Sequence, residues 1–178
     1  MGKGIKRKIN IIRDSEGKKI VLINDIRFRG KRKIAWKEVE QYLKEYVGNY
    51  YEIAETSERI YIGSEFPDEF TGSKDTKLLK GALAKAKANA TQGIPELIET
   101  ATNEEFSLNQ KEKHKSNAKF GWFRYDTRFA LPVYGEDGEK ERNNIFNVRM
   151  LIRHDQNGKK YLYDMLKIKK ETSKPLKL

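Results

Sequence analysis

The strongest constraint on the fold is a regular alternation of apolar and polar residues in three segments near the carboxyl end of the chain. These segments span residues 119–134, 144–154 and 159–170, and the sequences GEDGEKERN and DQNG separate them. A period of two is typical of β-strands that bury one face, and Gly, Asp and Asn favour the turns between such strands. The pattern therefore predicts a three-stranded antiparallel meander.

The same alternation assigns side chains to the two faces of the predicted meander. The apolar face is expected to carry Phe123, Tyr125, Thr127, Phe129, Phe146, Val148, Met150, Ile152, Leu162, Leu166 and Ile168. The opposite face is expected to carry Trp122, Arg124, Asp126, Arg128, Asn147, Arg149, Arg153, Tyr161, Tyr163, Lys167 and Lys169. Cations among aromatic rings suit a nucleic-acid strand, because cations bind phosphate and rings stack on bases. A polar outer face is equally ordinary for an antiparallel sheet in a basic protein.

The residues before the meander predict an α+β fold. INIIRDSEGKKIVLINDIRF and YYEIAETSERIYIGSEF have the pattern of β-hairpins, and AWKEVEQYLKEYV between them has the apolar spacing of a helix. This gives an N-terminal β-β-α-β-β segment, and a helix pair follows it. The first helix of the pair is expected from Asp75 as N-cap to Gly93, with Lys87 on its polar side, and the second from Ile94 to Ala101. We expect a basic N-terminal region at 1–57 and a helix-and-sheet region at 58–178, either separate or as one unit.

The charge of the chain indicates an acidic partner. Its 178 residues include 37 Lys and Arg against 26 Asp and Glu, a formal net charge of +11. Residues 1–33 hold 12 basic and 3 acidic side chains, and residues 159–178 hold 7 and 2. Basic ends supply affinity for nucleic acid without choosing a sequence. They also serve merely to keep a protein soluble.

Several classes of protein are disfavoured. The chain has no cysteine, so neither a disulfide framework nor a thiol nucleophile is expected. No apolar run has the length of a signal peptide or a membrane span, which favours a cytoplasmic protein that does not bind membranes. No phosphate-loop, Gly-x-Ser-x-Gly or His-Glu-x-x-His pattern occurs, and no cofactor is expected.

His114 is the principal candidate for chemistry. It lies between Lys113 and Lys115, and nearby positive charge lowers the pKa of a histidine and favours neutral imidazole. Such a base beside cations suits proton abstraction from a ribose 2′-hydroxyl. The alternative is a solvated histidine in a charged surface loop. His154 is interpreted first as a strand-end residue and second as a catalytic one.

A group of carboxylates precedes the helix pair. Glu65, Asp68, Glu69 and Asp75 lie close together in sequence, but their spacing matches no metal-binding loop. We interpret them as part of a solvated turn, and we expect no metal site.

Four segments together resemble a known group of domains. They are IYIGSEF, LLKGALAKAKANATQGIPELIETAT, KEKHKSNAKFGWFRYDTRFALPVY and VRMLIRHDQNGKKYLYDMLKIKKETS. Across roughly residues 58–173 the chain is similar to domains attached to phage MuF and large polyvalent mobile-element proteins. Several of these are grouped with the barnase–EndoU–colicin–RelE-like nucleases, which have N-terminal helices packed on an antiparallel sheet. The resemblance implies metal-free RNA cleavage, and the matching positions are His114, Arg124, Tyr125, Arg153 and Thr172, with His154 as a further candidate.

These observations lead to one main hypothesis and two alternatives. The main hypothesis is a toxin-like, metal-independent ribonuclease of a mobile element, with RNA as substrate and an immunity or host protein as a further partner. The alternatives are a non-enzymatic module that binds nucleic acid or a host protein, and a structural domain of a virion-delivered protein. The residues expected to bind nucleic acid are Trp122, Arg128, Arg149, Tyr161, Tyr163, Lys167, Lys169, Lys113 and Lys115.

Overall fold

The computed structural model describes residues 7–30 and 33–171, and in these residues the chain forms eight strands and five short helices. The strands are β1 (Ile9–Arg13), β2 (Lys19–Ile23), β3 (Tyr50–Glu52), β4 (Arg59–Tyr61), β5 (Thr102–Ser107), β6 (Trp122–Tyr134), β7 (Lys140–His154) and β8 (Lys160–Lys170). The helices are α1 (Trp36–Leu43), α2 (Phe66–Gly72), α3 (Lys74–Leu78), α4 (Gly81–Ala90) and α5 (Ile94–Glu99). The predicted α+β class is confirmed.

All eight strands belong to one curled sheet, in the order β1-β2-β6-β7-β8-β4-β3, with β5 paired to the first half of β6. The prediction of a three-stranded meander was therefore wrong, because β6, β7 and β8 are only the centre of a larger sheet. The two hairpins extend it on both sides, since β2 runs parallel to β6 and β4 runs parallel to β8. Pairing in this way covers strand edges that would otherwise be left open.

The sheet also joins the two regions expected at 1–57 and 58–178. β3 and β4 form an antiparallel hairpin across that boundary, with Tyr50 opposite Tyr61. β2 from the first region pairs with β6 from the second. Within the described part of the chain, no helix is long and apolar enough to cross a membrane.

One face of the sheet packs against α2, α4 and α5, and α1 packs on α2; the buried side chains between them form the main core. The residues predicted for this face on the second strand, Phe146, Val148, Met150 and Ile152, are all buried there. On β8 the prediction for Leu166 was wrong, because the register of β7 against β8 shifts twice and buries Met165 in the core instead. Leu166 packs on the opposite face with Trp122 and Leu151.

The helix predicted from Asp75 to Gly93 is broken into α3 and α4. α3 begins two residues earlier than predicted, with Ser73 as its N-cap, and the Ser73 side chain accepts the Thr76 N–H at 3.1 Å. The chain then turns through Gly81, whose φ of +58° is in the left-handed region that favours glycine.

Lys87 on α4 was expected in solvent, but it is completely buried. Its Nζ lies 2.8 Å from Asp164 Oδ1 and 2.9 Å from Asp75 Oδ2. A charged amine is buried only where carboxylates compensate it, and this pairing depends on strand β8, which lies far away in sequence.

Candidate functional site

A cleft of about 810 Å³ opens between the α2–α3 segment, the chain from Ser107 to His114 and strands β6 to β8. We call it the His114 cleft. Its lining combines cations, carboxylates and aromatic rings: Asp68, Glu69, Gly72, Ser73, Lys74, Asp75, Lys77, Ser107, Leu108, Asn109, Gln110, Lys111, Lys113, His114, Trp122, Arg124, Leu151, Tyr163, Asp164 and Leu166. Thus His114, Trp122, Arg124, Tyr163 and Lys113 among the predicted site residues come together here.

His114 is buried, with only 6% of its surface exposed, so the alternative interpretation as a solvated surface histidine was wrong. It ends a single helical turn, Glu112–His114, and its ring packs edge-on against two aromatic rings. The centroids of Trp122 and Tyr163 lie 5.0 and 5.3 Å from the imidazole centroid. Flanking lysines did not prevent burial, because each can point to solvent while the imidazole points inward.

The surroundings of His114 favour a neutral imidazole with a defined tautomer. Burial lowers the pKa of His114 most, and Lys113, Lys111 and Arg153 lower it further, while the hydrogen bond to Asn117 opposes them. Nδ1 lies 2.9 Å from Asn117 Oδ1, which accepts a hydrogen bond. A neutral imidazole has one N–H, so Nδ1 carries it and Nε2 is left as a proton acceptor.

Glu69 supplies a second titratable group in the same cleft. It lies on α2, whose Phe66 and Phe70 anchor the helix in the core. Burial raises the pKa of Glu69 to about 7, and the nearby carboxylates of Glu65 and Asp68 add to the effect, while Arg153 opposes it. At neutral pH a substantial share of Glu69 therefore carries a proton that it can donate.

The sequence interpretation missed Glu69 because it missed α2. The segment around Glu69 was interpreted as a solvated turn, although Phe66 and Phe70 have helical spacing and Pro67 stands in the first turn. Those two signals could have identified the helix. No signal in the sequence places Glu69 in the same cleft as His114, because the two residues are 45 positions apart.

Five cations line the His114 cleft without an acidic partner among the described residues. They are Lys74, Lys77, Lys111, Lys113 and Arg124. Arg124 donates from Nη1 to the Ser107 hydroxyl at 2.8 Å, and it forms no ion pair with its cross-strand neighbour Glu105. Uncompensated cations on aromatic-lined walls are suited to phosphate groups.

Other predicted cations line a second cleft of about 1040 Å³, where β6 has no partner strand between the end of β2 and the start of β5. Arg128, Arg149, Lys167 and Lys169 all lie there. Arg128 is bound by Glu171 and Asp14, each at 2.7 Å. Arg149 lies 3.6 Å from both Glu105 and Asp126. Because carboxylates compensate both arginines, these two side chains are less suited to bind an anion than Arg124 in the His114 cleft.

Tyr125 and His154, two residues implied by the resemblance, do not line the His114 cleft. Tyr125 is fully buried in the core and donates to Glu104 Oε2 at 2.7 Å, and burial raises the pKa of its hydroxyl. We therefore withdraw its predicted contact with substrate. His154 lies 3.2 Å from the Gly158 carbonyl and packs near Phe120. Thr172 lies outside the described residues.

Arg153 is also outside the lining, but it is connected to His114. It is 6% exposed, and its Nη1 donates to the Asn117 carbonyl at 3.2 Å. Since Asn117 binds the His114 imidazole, Arg153 is placed to act as a positioning residue.

Two further predicted residues also lie outside the cleft lining. Tyr161 packs against the Arg153 guanidinium, which lies 4.5 Å from its ring centroid. Lys115 is exposed and 3.9 Å from Glu112.

Comparison with protein-family models, with curated proteins and with solved structures yields no match for this chain. Among the described residues, no three His, Cys, Asp or Glu side chains are grouped so that they could share a metal ion.

Proposed function

We propose that this protein is a metal-independent ribonuclease that cuts RNA in the His114 cleft. The observation that carries the proposal is the meeting of a proton acceptor, His114, and a proton donor, Glu69, in one cleft with uncompensated cations. Neither residue alone is specific for catalysis. Two groups with opposite proton states at one pH are typical of an acid–base site.

The chemistry is a transfer of the phosphoryl group to the ribose 2′-oxygen. His114 Nε2 takes the proton of the 2′-hydroxyl while the 2′-oxygen forms a bond to phosphorus. The bond from phosphorus to the 5′-oxygen breaks, and Glu69 gives its proton to that leaving oxygen. The products are a 2′,3′-cyclic phosphate and a 5′-hydroxyl end. Each positioned acid or base contributes about 10²–10⁴-fold to such a step.

The cations of the cleft stabilise the charge that gathers on the phosphoryl oxygens. Arg124 is the best candidate, because its hydrogen bond to Ser107 fixes its direction and no described carboxylate neutralises it. Fixed donors in a partly dry site stabilise such charge more than mobile ones in water. Lys111 and Lys113 are suited to the flanking phosphates, and Tyr163 offers a ring near the imidazole.

The biological setting that we propose is a toxin-like module of a mobile element. The resemblance to domains of phage MuF and polyvalent proteins supports it. A cytotoxic ribonuclease would need an immunity or host protein to restrain it, and that partner belongs to the same proposal.

The test is cleavage of RNA by purified protein in excess EDTA, with the new ends identified. We expect cyclic 2′,3′-phosphate ends, and loss of at least about 10²-fold in rate in both Glu69→Gln and His114→Gln. Glu38→Gln is the matched control for the acid, since Glu38 is an exposed glutamate in the first turn of helix α1 and lies outside the cleft lining. His154→Gln is the control for the base. Circular dichroism verifies that each variant is folded.

Two outcomes would contradict the proposal. RNA that binds but stays intact across varied substrates would favour the non-enzymatic binding module. Cleavage of deoxy substrates at an equal rate would exclude the 2′-hydroxyl as nucleophile.

A further inference from the structure

Three tyrosines form a row across the sheet at the edge that ends with strand β3. Tyr50 on β3 is in register with Tyr61 on β4, and Tyr61 is in register with Tyr161 on β8. The same row continues through Arg153 on β7 to Trp122 on β6, which lines the His114 cleft. Partners in register share one face of a sheet. Adjacent strands are about 4.8 Å apart, so the row from Tyr50 to Trp122 spans roughly 19 Å.

The rings of this row are close together and reach the surface. The centroid distance is 5.4 Å between Tyr50 and Tyr61 and 6.0 Å between Tyr61 and Tyr161. Tyr50 is 47% exposed, and the other two tyrosines are half-buried. A contiguous exposed aromatic surface of this kind is a typical stacking platform for bases.

The two outer tyrosines of the row, Tyr50 and Tyr61, each carry a cation. The Arg59 guanidinium lies 4.9 Å from the Tyr50 ring centroid, and Lys159 Nζ lies 4.8 Å from that of Tyr61. Neither cation forms an ion pair with a described carboxylate. A surface that offers rings and uncompensated cations in alternation fits a single nucleic-acid strand, whose bases stack while its phosphates attract the cations.

We propose that Tyr50, Tyr61 and Tyr161 form a platform that binds unpaired nucleotides of an RNA whose scissile phosphate lies in the His114 cleft. This inference rests on the proposed ribonuclease function and adds the substrate class, which is single-stranded RNA that extends beyond the cleft. Tyr161 was predicted to bind nucleic acid, but Tyr50 and Tyr61 had not been assigned a role. Their alignment becomes visible only when β3 and β4 are placed beside β8.

The experiment measures binding by fluorescence anisotropy with 2′-O-methyl RNA, which has no free 2′-hydroxyl and cannot be cut by the proposed reaction. One oligonucleotide of about twelve nucleotides covers cleft and platform, and one of about three covers the cleft alone. Tyr50→Ser with Tyr61→Ser should weaken binding of the long strand by about tenfold for each lost stacked base. Binding of the short strand should stay unchanged, and Tyr50→Phe with Tyr61→Phe should bind the long strand as the parent protein does.

Tyr134→Ser is the matched control, because Tyr134 is an equally exposed tyrosine, at 52%, at the far end of β6. Tyr50→Ser alone, on the short outer strand, keeps the test valid where the double variant fails to fold. Equal affinity of parent and Tyr→Ser variants for the long strand, or no binding by the parent at low salt, would overturn the platform. In that case, cleavage of RNA to cyclic ends by the parent protein would still support the ribonuclease. Weaker binding of the long strand by the Tyr→Ser variants, together with no RNA cleavage by the parent protein, would uphold the platform and overturn the ribonuclease.

Discussion

Removing the buried cation Lys87 tests how the floor of the His114 cleft is held together. In the Lys87→Met variant, Asp164 stays 2% exposed but loses the ammonium group 2.8 Å away. Asp164 keeps the hydrogen bond that the Met165 N–H donates to its Oδ1 at 2.8 Å. A carboxylate left in this state costs about 3–5 kcal/mol of unfolding free energy. Asp75 has a smaller share in this cost, because its side chain is 27% exposed and remains hydrated.

The pairing itself is measured with a second variant. Lys87→Met combined with Asp164→Leu removes both charges and leaves apolar groups of similar size beside Phe70, whose ring centroid lies 5.0 Å from Lys87 Nζ. We expect the double variant to recover about 2 kcal/mol or more relative to Lys87→Met, since apolar replacement of a buried pair is often neutral. Urea denaturation followed by circular dichroism measures both values.

The pH dependence provides an independent arm. Burial already raises the pKa of Asp164, and Lys87 opposes that effect. Without Lys87 the pKa of the folded state rises further above the unfolded value of about 3.9. A carboxylic acid whose pKa is raised in the folded state does not lower the unfolding free energy below its unfolded pKa. The loss of unfolding free energy grows as the pH rises from the unfolded pKa to the folded pKa and is constant above it. Lys87→Met should therefore be more destabilising at pH 8 than at pH 5. A loss below about 1 kcal/mol, or equal losses at both pH values, would refute this account of the buried pair.

Three further predictions follow from the same contacts. The cleavage rate should be highest between the lowered pKa of His114 and about pH 7, because His114 must be neutral and Glu69 must be protonated. In a pH–rate profile, Glu69→Gln should abolish the decline in rate above that range. Gly121→Ala should lower the unfolding free energy, measured by urea denaturation, by about 2 kcal/mol or more, because its φ is +97° and a Cβ would lie 2.6 Å from a backbone oxygen. Gly138→Ala should lower it by about 1 kcal/mol or less, because Gly138 has a φ of +81° but open space around it. Lys113→Gln should move the His114 pKa, measured by NMR titration, only slightly upward, because burial is the larger cause; a return to the ordinary value would contradict that ranking.

The alternation of the sequence predicted most of the sheet faces because side-chain direction follows directly from strand geometry. Phe129, Val148 and Ile152 lie in the core as expected. The prediction failed at Leu166, where register shifts between β7 and β8 exchange the two faces. Lys167 adopts a φ of +53° next to this irregularity. Such a bulge depends on the pairing of two strands, and a period of two in one strand cannot reveal it.

Long-range pairing explains why the site was only partly predictable. His114, Trp122 and Arg124 lie within eleven residues of one another, and the expectation that they act together could be made from that segment. Glu69 reaches the cleft, and Lys87 reaches Asp164 in the cleft lining, only because α2 and α4 pack against β8. Lys87 in particular looks like a solvated residue until Asp164 is placed 2.8 Å away from it.

Burial shifts the pKa values in the cleft more than the lysines that flank His114 do. Removal from water disfavours the charged form of any group, so it lowers the pKa of a histidine and raises that of a carboxylic acid. Burial is the largest cause for both His114 and Glu69. One physical effect therefore produces a neutral base and a protonated acid together. Arg153 lowers the pKa of both groups. It therefore favours the neutral, proton-accepting form of His114 and keeps the pKa of Glu69 close to 7, so that Glu69 can still lose its proton.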